Sequence, residues 1–510
     1  MEVTIQMPAG RRLALTIVVM VATLLQVLDS TIANVALPHM EAALGAAPDT
    51  ISWVLTSYII GAAIATPLTG WIDARIGRRT LMAVAVGGFT VTSAVCGVAN
   101  SLQMMVAARF AQGLFGAFIS PLSQSIMLDI YPYRERPKAM SIWGMGVMVG
   151  PILGPLIGGV LTDAYSWRWV FFVNLPLGLA ALVGIFALLP QTRLTKPNFD
   201  IVGFAFLALA LGSLQLVLDR GTQLDWLSST EIIVELCVFA ATLWMFITHT
   251  ITARDPLIPV ALFRDRNFVI ANLFILIVMG VVMAGAALVP PMVQSLFGHD
   301  TTGAGMLMMP RGVATMVSMI VAAKLATRLD PRVLLAIGML LIGSAQWMMT
   351  GFSLEMDSRP IIVTGLVQGL GFGFVMVPLN LMAFATIAPK LRTTAASVWS
   401  LSRNIGGSIT ISLFSALLAH NLQVAHSDLA GEIGATRFPI LQGGFAEIVG
   451  MNTTTALQFL DAEINRQAMM ISYLDDFLLM ALATFILLPF TLAMKMSKTR
   501  PSADHAMVLE

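Results

Sequence analysis

About fourteen apolar runs dominate this chain, and a helix of about twenty residues is what crossing the hydrocarbon core of a bilayer requires. They fall near residues 13–36, 52–72, 80–99, 102–125, 139–161, 168–190, 200–219, 231–251, 269–294, 304–326, 333–352, 361–386, 395–420 and 473–494. The composition agrees: 57% of the 510 residues are hydrophobic and 11% charged, where a soluble chain averages about 25% charged. The chain reads as an all-α integral membrane protein. Its first run follows Arg11 and Arg12 in the manner of a signal peptide, but it lacks a small-residue cleavage pattern and reads as a retained span.

Several function classes drop out at this point. A net charge of +1 offers no basic surface to nucleic acid. Cys96 and Cys237 lie in separate runs without metal-ligand or redox spacing, and no cluster of His, Cys or carboxylates has the spacing of a metal site or a nucleophile. No enzyme activity, metal or cofactor is expected.

Orientation follows from the basic residues. With a cytoplasmic N-terminus, the inner connections carry Arg75, Arg78, Arg79, Arg134, Arg136, Lys138, Arg193, Lys196, Arg254, Arg264, Arg266, Arg328, Arg332, Lys390 and Arg392, and the outer ones only Arg168, Arg220, Arg359, Arg437 and Arg466. This excess on one side places both termini in the cytoplasm.

The chain also repeats. GWIDARIGRR, from Gly70, aligns with AKLATRLDPR, from Ala323, matching Arg75 to Arg328 and Arg79 to Arg332 at an offset of about 253 residues; the same offset carries Pro38 to Pro291. QGLFGAFISPL from Gln112 pairs with QGLGFGFVMVPL from Gln368. Six spans end near residue 190, so the offset leaves room for two more before the second set begins. The expected division is a six-span half over 1–190, two inserted spans with flanking loops over 191–268, a second six-span half over 269–494 including an external segment 421–472, and a cytoplasmic tail over 495–510. Parallel halves of this kind rock about a site near the bilayer midplane.

Charges inside spans stand out, since each costs about 2.5–3.5 kcal/mol near a helix centre even on the mildest scale. Asp29 falls in the first run, Arg109 in the fourth, Arg311 near the outer end of the tenth, Arg403 in the thirteenth and Glu235 near the outer end of the eighth. The repeat aligns Asp29 with Val282 and Arg109 with Gly365, so this acid and this base belong to the first half alone. Asp29 and Arg109 suit either a proton carrier tuned by a guanidinium or a permanent interhelical ion pair. Arg109, Gln112, Gly113 and Gly116 share one helical face, on which small residues admit a close neighbour. In the fifth run Gly146, Gly150, Gly154 and Gly158 form a smooth ridge with Pro151 and Pro155 beside it, fit either for a sliding contact between the halves or for static tight packing.

Together these stretches resemble the major facilitator superfamily, and within it the 14-span EmrB/QacA-type drug:proton antiporters. LDSTIANVALP from Leu28 is similar to that family's first-span signature, RFAQG from Arg109 to the fourth-span motif associated with proton coupling, and GPILGPLIGG from Gly150 to the fifth-span motif of antiporters. PLSQS from Pro121, WRWVFFVNLPLG from Trp167 and LDRGTQLDW from Leu218 resemble the EmrB branch. The loop motif built on Gly70, Asp73, Arg75, Gly77 and Arg79 departs from the family: the place of its usual Asp holds Ala74, with Asp73 beside it. That shift puts the usual charge relay to the thirteenth span in doubt.

The resemblance implies a major facilitator fold in a bacterial inner membrane, exporting lipophilic, amphipathic compounds in exchange for protons. Asp29 and Arg109 are then the proton-coupling pair, and Gln26, Asn34, Gln112, Gln124, Gln368, Asn380 and Arg403 the candidates to line the cavity. The few acids in spans favour neutral or weakly acidic substrates. The 33 methionines either give a plastic lining or fill packing and lipid-facing positions. In segment 421–472, Leu457, Leu460, Ile464, Ala468 and Ile471 mark an amphipathic helix that either docks a periplasmic adaptor, and through it an outer-membrane channel, or caps the cavity. A transporter of one metabolite or nutrient, and a transporter-like membrane sensor, are the alternatives the same fold permits.

Overall fold

A computed structural model describes residues 7–132, 135–191, 194–195, 198–432 and 453–494. Among the described residues there is no strand. The principal helices are α1 (Ala9–Leu44), α2 (Trp53–Ile76), α3 (Arg78–Gly97), α4 (Leu102–Ile130), α5 (Arg136–Ala164), α6 (Trp169–Leu188) and α7 (Ile201–Arg220). They continue with α8 (Thr230–Thr252), α9 (Arg266–Phe297), α10 (Thr301–Leu325), α11 (Pro331–Met349), α12 (Arg359–Phe384), α13 (Arg392–Glu432) and α14 (Thr453–Leu487). Thirteen are long and apolar enough to cross a membrane, and α5, at 29 residues, is the remaining member of the set expected from sequence. Asp200, Asp265, Asp300 and Asp330 cap α7, α9, α10 and α11 by accepting a first-turn backbone N–H, which satisfies donors that the helix itself leaves unpaired.

Packing repeats as the sequence does. In the first six helices α1 lies on α5 and α6, α2 on α4, and α3 on α4 and α6; in the last six α9 lies on α13 and α14, α10 on α12, and α11 on α12 and α14. Even single contacts recur. A Cβ on Gly113 would overlap the Tyr58 carbonyl oxygen, and one on Gly369 would overlap the Arg311 carbonyl oxygen, at matching places in the repeat. The inserted pair sits outside this frame, with α7 against α2 and α13 and α8 packed mainly on α7.

Two expectations change. The glycine ridge does not face the other half: Gly146 meets Met20, Gly150 meets Val27, Gly154 meets Thr31 and Gly158 meets Ile32, all on α1. It is Gly144 that abuts the second half, at Met319. The side chains of Pro151 and Pro155 lie outside the described residues. Within the 421–472 segment the described parts are helical, 421–432 continuing α13, which runs 41 residues, and 453–472 opening α14, which runs 35. At 1.5 Å per residue α13 spans about 60 Å, twice the hydrocarbon core, and the two helices project together, joined by His426 Nε2 and Asp461 Oδ1 at 3.1 Å. Along α14 the inward stripe passes from Ala468 to Ser472 and Asp476, while Ile471 is exposed. The side chain of Leu457, residues 433–452 and the tail 495–510 fall outside the described residues.

Candidate functional site

Packing of α1 decides where Asp29 points. Val27 and Thr31 lie against α5, and Thr31 Oγ1 donates to the Gly150 carbonyl at 3.1 Å. Two residues turn a helix by about 200°, so Asp29 faces away from α5, towards α4 and α6. On α4, Gly113 lets the backbone of α2 come close, which sets the adjacent Gln112 and Arg109, one turn earlier, against Asp29.

Three donors converge on the carboxylate. Arg109 Nη1 donates to Asp29 Oδ2 at 2.6 Å, Gln112 Nε2 to Oδ1 at 2.9 Å and Asn174 Nδ2 to Oδ1 at 2.7 Å. All four side chains are completely buried. Arg109 is fixed further by Nε on the Val54 carbonyl at 3.1 Å, by Nη1 on Gln112 Oε1 at 2.7 Å, and by the Tyr58 ring 4.4 Å from its guanidinium. Asn174 also donates to Ser93 Oγ at 2.9 Å, and Ser93 donates to the Phe171 carbonyl at 3.0 Å. Removing one partner of a buried pair like this costs about 3–5 kcal/mol, because the other charge is left unpaired.

Asp29 and Arg109, singled out separately in the sequence, therefore meet. Gln112 belongs to this cluster and not to a cavity wall. Gln26 makes no hydrogen bond to Asp29; it is half-buried, and its Oε1 has no partner among the described residues. Sequence reasoning missed Asn174 and Ser93. Asn174 sits inside the WRWVFFVNLPLG stretch, which was its only signal.

A second network joins the halves on the face where α1 begins. Gly77, at φ 85°, links α2 to α3 in a single residue, a conformation that only glycine adopts without strain. It brings Arg78 beside Asp129 at the end of α4. Asp129 accepts from Arg78 Nη1 and from Arg392 Nη1 of α13, both at 2.6 Å. Thr393 Oγ1 donates to Asp73 Oδ2 at 2.7 Å and accepts from Arg78 Nη2 at 3.0 Å, and a Cβ on Gly70 would overlap Thr394 Oγ1. Asp73 thus reaches the thirteenth helix through a hydroxyl. Arg75 and Arg79 stay in the first half, Arg75 over the Trp71 ring and Arg79 on the Phe186 carbonyl at 2.6 Å.

Between these levels the halves meet through Gln124 Nε2 and Asn380 Oδ1 at 2.6 Å, and through Arg403 Nη2 and Ser120 Oγ at 3.2 Å. The Arg403 guanidinium lies 5.7 Å from the centre of the buried Trp143 ring. Gln124, Asn380 and Arg403 therefore lie where the two halves meet. Gln368 does not: it is buried inside the second half beside Gln346 and Gly285, as Gln112 is inside the first. Asn34 is exposed.

Known proteins match this chain over most of its length. The Major Facilitator Superfamily model covers residues 19–411. The multidrug export protein EmrB of Escherichia coli strain K12 is 32% identical over 479 residues, 93% of each chain. The fatty acid resistance protein FarB of Neisseria gonorrhoeae is 31% identical over 414 residues, 81% of this chain and 82% of that one. Among solved structures, the human organic anion transporter MFSD10 superposes with a TM-score of 0.60 at 16% identity, covering 94% of this chain and all of the other. The proton:xylose symporter XylE gives 0.60 at 15% identity, covering 94% and 96%.

Proposed function

Because the chain belongs to the major facilitator superfamily, a multi-pass membrane transporter family whose named relatives here include multidrug exporters, we propose that it exports amphipathic, mainly apolar compounds in exchange for protons by alternating access. The observation that carries this reading is the fully buried Asp29, held by Arg109, Gln112 and Asn174. When Asp29 takes a proton, the acceptor on which three donors converge loses its charge, and the cluster loosens. Helix α4 passes that change on: it carries Arg109 and Gln112 towards one end, then Ser120, Gln124 and Asp129, whose partners are Arg403, Asn380 and Arg392 of the second half. A proton entering at Asp29 in this way favours release of the closed face.

The arginine asymmetry supports assigning that closed face to the cytoplasm. Energy suffices: each charge moved down 100 mV contributes about 2.3 kcal/mol and each pH unit about 1.36 kcal/mol. Arg403, beside Trp143 and Ser120 at the boundary, supports substrates that are neutral or weakly acidic, and a relative named for fatty acid resistance fits that class. The paired extensions of α13 and α14 are the surface we assign to an adaptor. Efflux from inverted vesicles tests the reading: export driven by an imposed proton gradient supports it, and equal export without any gradient rejects it.

A further inference from the structure

Asp476 lies on α14, completely buried, and neither carboxyl oxygen has a hydrogen-bond partner among the described residues. On the same helix Tyr473, Phe477 and Met480 belong to a buried apolar cluster, and two buried amides lie close by. Gln346 of α11, also completely buried, donates only to Met480 Sδ at 3.7 Å, one turn along α14 from Asp476, and its own Oε1 is unpartnered. Gln368 of α12 has neither amide atom partnered. A Cβ on Gly285 of α9 would lie 3.4 Å from Gln346 Nε2 and 3.5 Å from Gln368 Nε2, so the two amides converge.

These groups are the second half's counterparts of those around Asp29. Gln368 holds the repeat position of Gln112 and Gln346 that of Ser93, and Gly369 approaches the Arg311 carbonyl as Gly113 approaches that of Tyr58. The charges are distributed differently. Val282 replaces the acid of α1, and Arg311, entering from α10, donates through Nη2 to the Val282 carbonyl at 2.9 Å. The acid has moved to α14.

Among the described residues, no charged side chain of the helices packed on α14 pairs with Asp476. α9 and α11 carry charged residues only at their starts, Arg266 and Arg332; α13 carries Arg392, Arg403, His420, His426, Asp428 and Glu432. The charged group that acts on Asp476 is Asp475, an exposed acid on its own helix, and Tyr473 lies one turn away. An isolated carboxylate ion is far costlier to bury than the neutral acid. We propose that Asp476 is a second proton-binding site, built into the second half and separate from Asp29. In this conformation it carries its proton while Asp29 is ionised against Arg109. On opening, the carboxyl gives that proton to water, and a proton from water restores it on closing. Only this transport consequence rests on the antiport reading.

The test uses the full-length protein in lipid. Infrared difference spectra should show the carbonyl band of a protonated carboxylic acid in the wild type and in Asp29→Asn, and lose it in Asp476→Asn; a band that persists in Asp476→Asn overturns the assignment. Asparagine mimics the neutral acid, so Asp476→Asn should unfold at the wild-type temperature, and a large drop means an ionised, partnered carboxylate and also overturns it. If that variant fails to accumulate, Asp476→Glu must move the band, and an unmoved band has the same force. In proteoliposomes Asp476→Asn should move one proton fewer per substrate, and an unchanged ratio removes the proton exchange. Should the wild type move no protons with substrate while its band remains, the antiport reading fails and the proton-binding site stands.

Discussion

Replacing Asp129 by asparagine should open the face where α1 begins and α4 ends. Asp129 accepts one hydrogen bond at 2.6 Å from Arg78 of its own half and one at 2.6 Å from Arg392 of the other. A hydrogen bond to a charged group contributes about 1.5–3 kcal/mol net. Asparagine keeps one acceptor oxygen, so it retains one of the two contacts in weaker, neutral form and loses the other. Only the Arg392 contact crosses between the halves, so its loss weakens the closed arrangement by about 1.5–3 kcal/mol, which shifts the balance between closed and open forms about 10- to 150-fold at 1.4 kcal/mol per tenfold. Spin labels on the α2–α3 and α10–α11 turns report the separation of the halves by pulsed dipolar spectroscopy. Asp129→Asn should populate a longer distance that the wild type shows only with substrate or acid. Asp73→Asn should do less, because Asp73 meets Arg78 only at 3.5 Å and the other half only through Thr393. Identical distance distributions in Asp129→Asn and wild type would refute the role given to this network.

Other consequences are equally concrete. Gly70→Ala places a methyl group against Thr394, within 2.9 Å of its Cβ and 3.0 Å of its Cα; the same labels should show an opened face, closed again by adding Thr394→Gly. Gly113→Ala drives a Cβ into the Tyr58 carbonyl and separates α2 from α4, so the detergent-solubilised protein should lose about 1–3 kcal/mol of stability, seen as a lower melting temperature. At Asp200, burial opposes the carboxylate, but donation from the Gly203 N–H, from His249 and from the Leu257 N–H outweighs it and holds its pKa below the ordinary carboxylate value. A lowered folded-state pKa contributes stability above the unfolded value of about 3.9 and loses it as pH falls through the folded one. Asp200→Ala should therefore melt earlier than the wild type at pH 7 by about 1 kcal/mol of cap, and the gap should close below about pH 4.

Much of this was legible in the sequence for physical reasons. A bilayer fixes the length of an apolar run, so the spans could be counted, and charges in such runs are rare enough that Asp29 and Arg109 identified themselves. What escaped had no comparable signal. Asn174 and Ser93 carry no charge and look like any polar residue tolerated in a span. Asp476 sits beside Asp475 at the edge of the last apolar run, where an acid reads as solvated surface; burial came from helix α14 continuing past that edge. Hydropathy marks where lipid ends and not where a helix ends, which is why α13 and α14 outran their expected limits. The glycine ridge shows the remaining gap: periodicity at residues 146, 150, 154 and 158 defines a face, but only packing shows that its partner is α1.

The central claim is that Asp29 carries the proton that drives export. Purified protein in liposomes of low internal buffering, with an entrapped pH indicator, measures it directly when substrate is added on one side. The wild type should move protons opposite to substrate, and Asp29→Asn should bind substrate with little change while moving none through this site, leaving at most the fraction that Asp476 contributes. Proton movement by Asp29→Asn equal to that of the wild type, at the same substrate flux, would contradict the account.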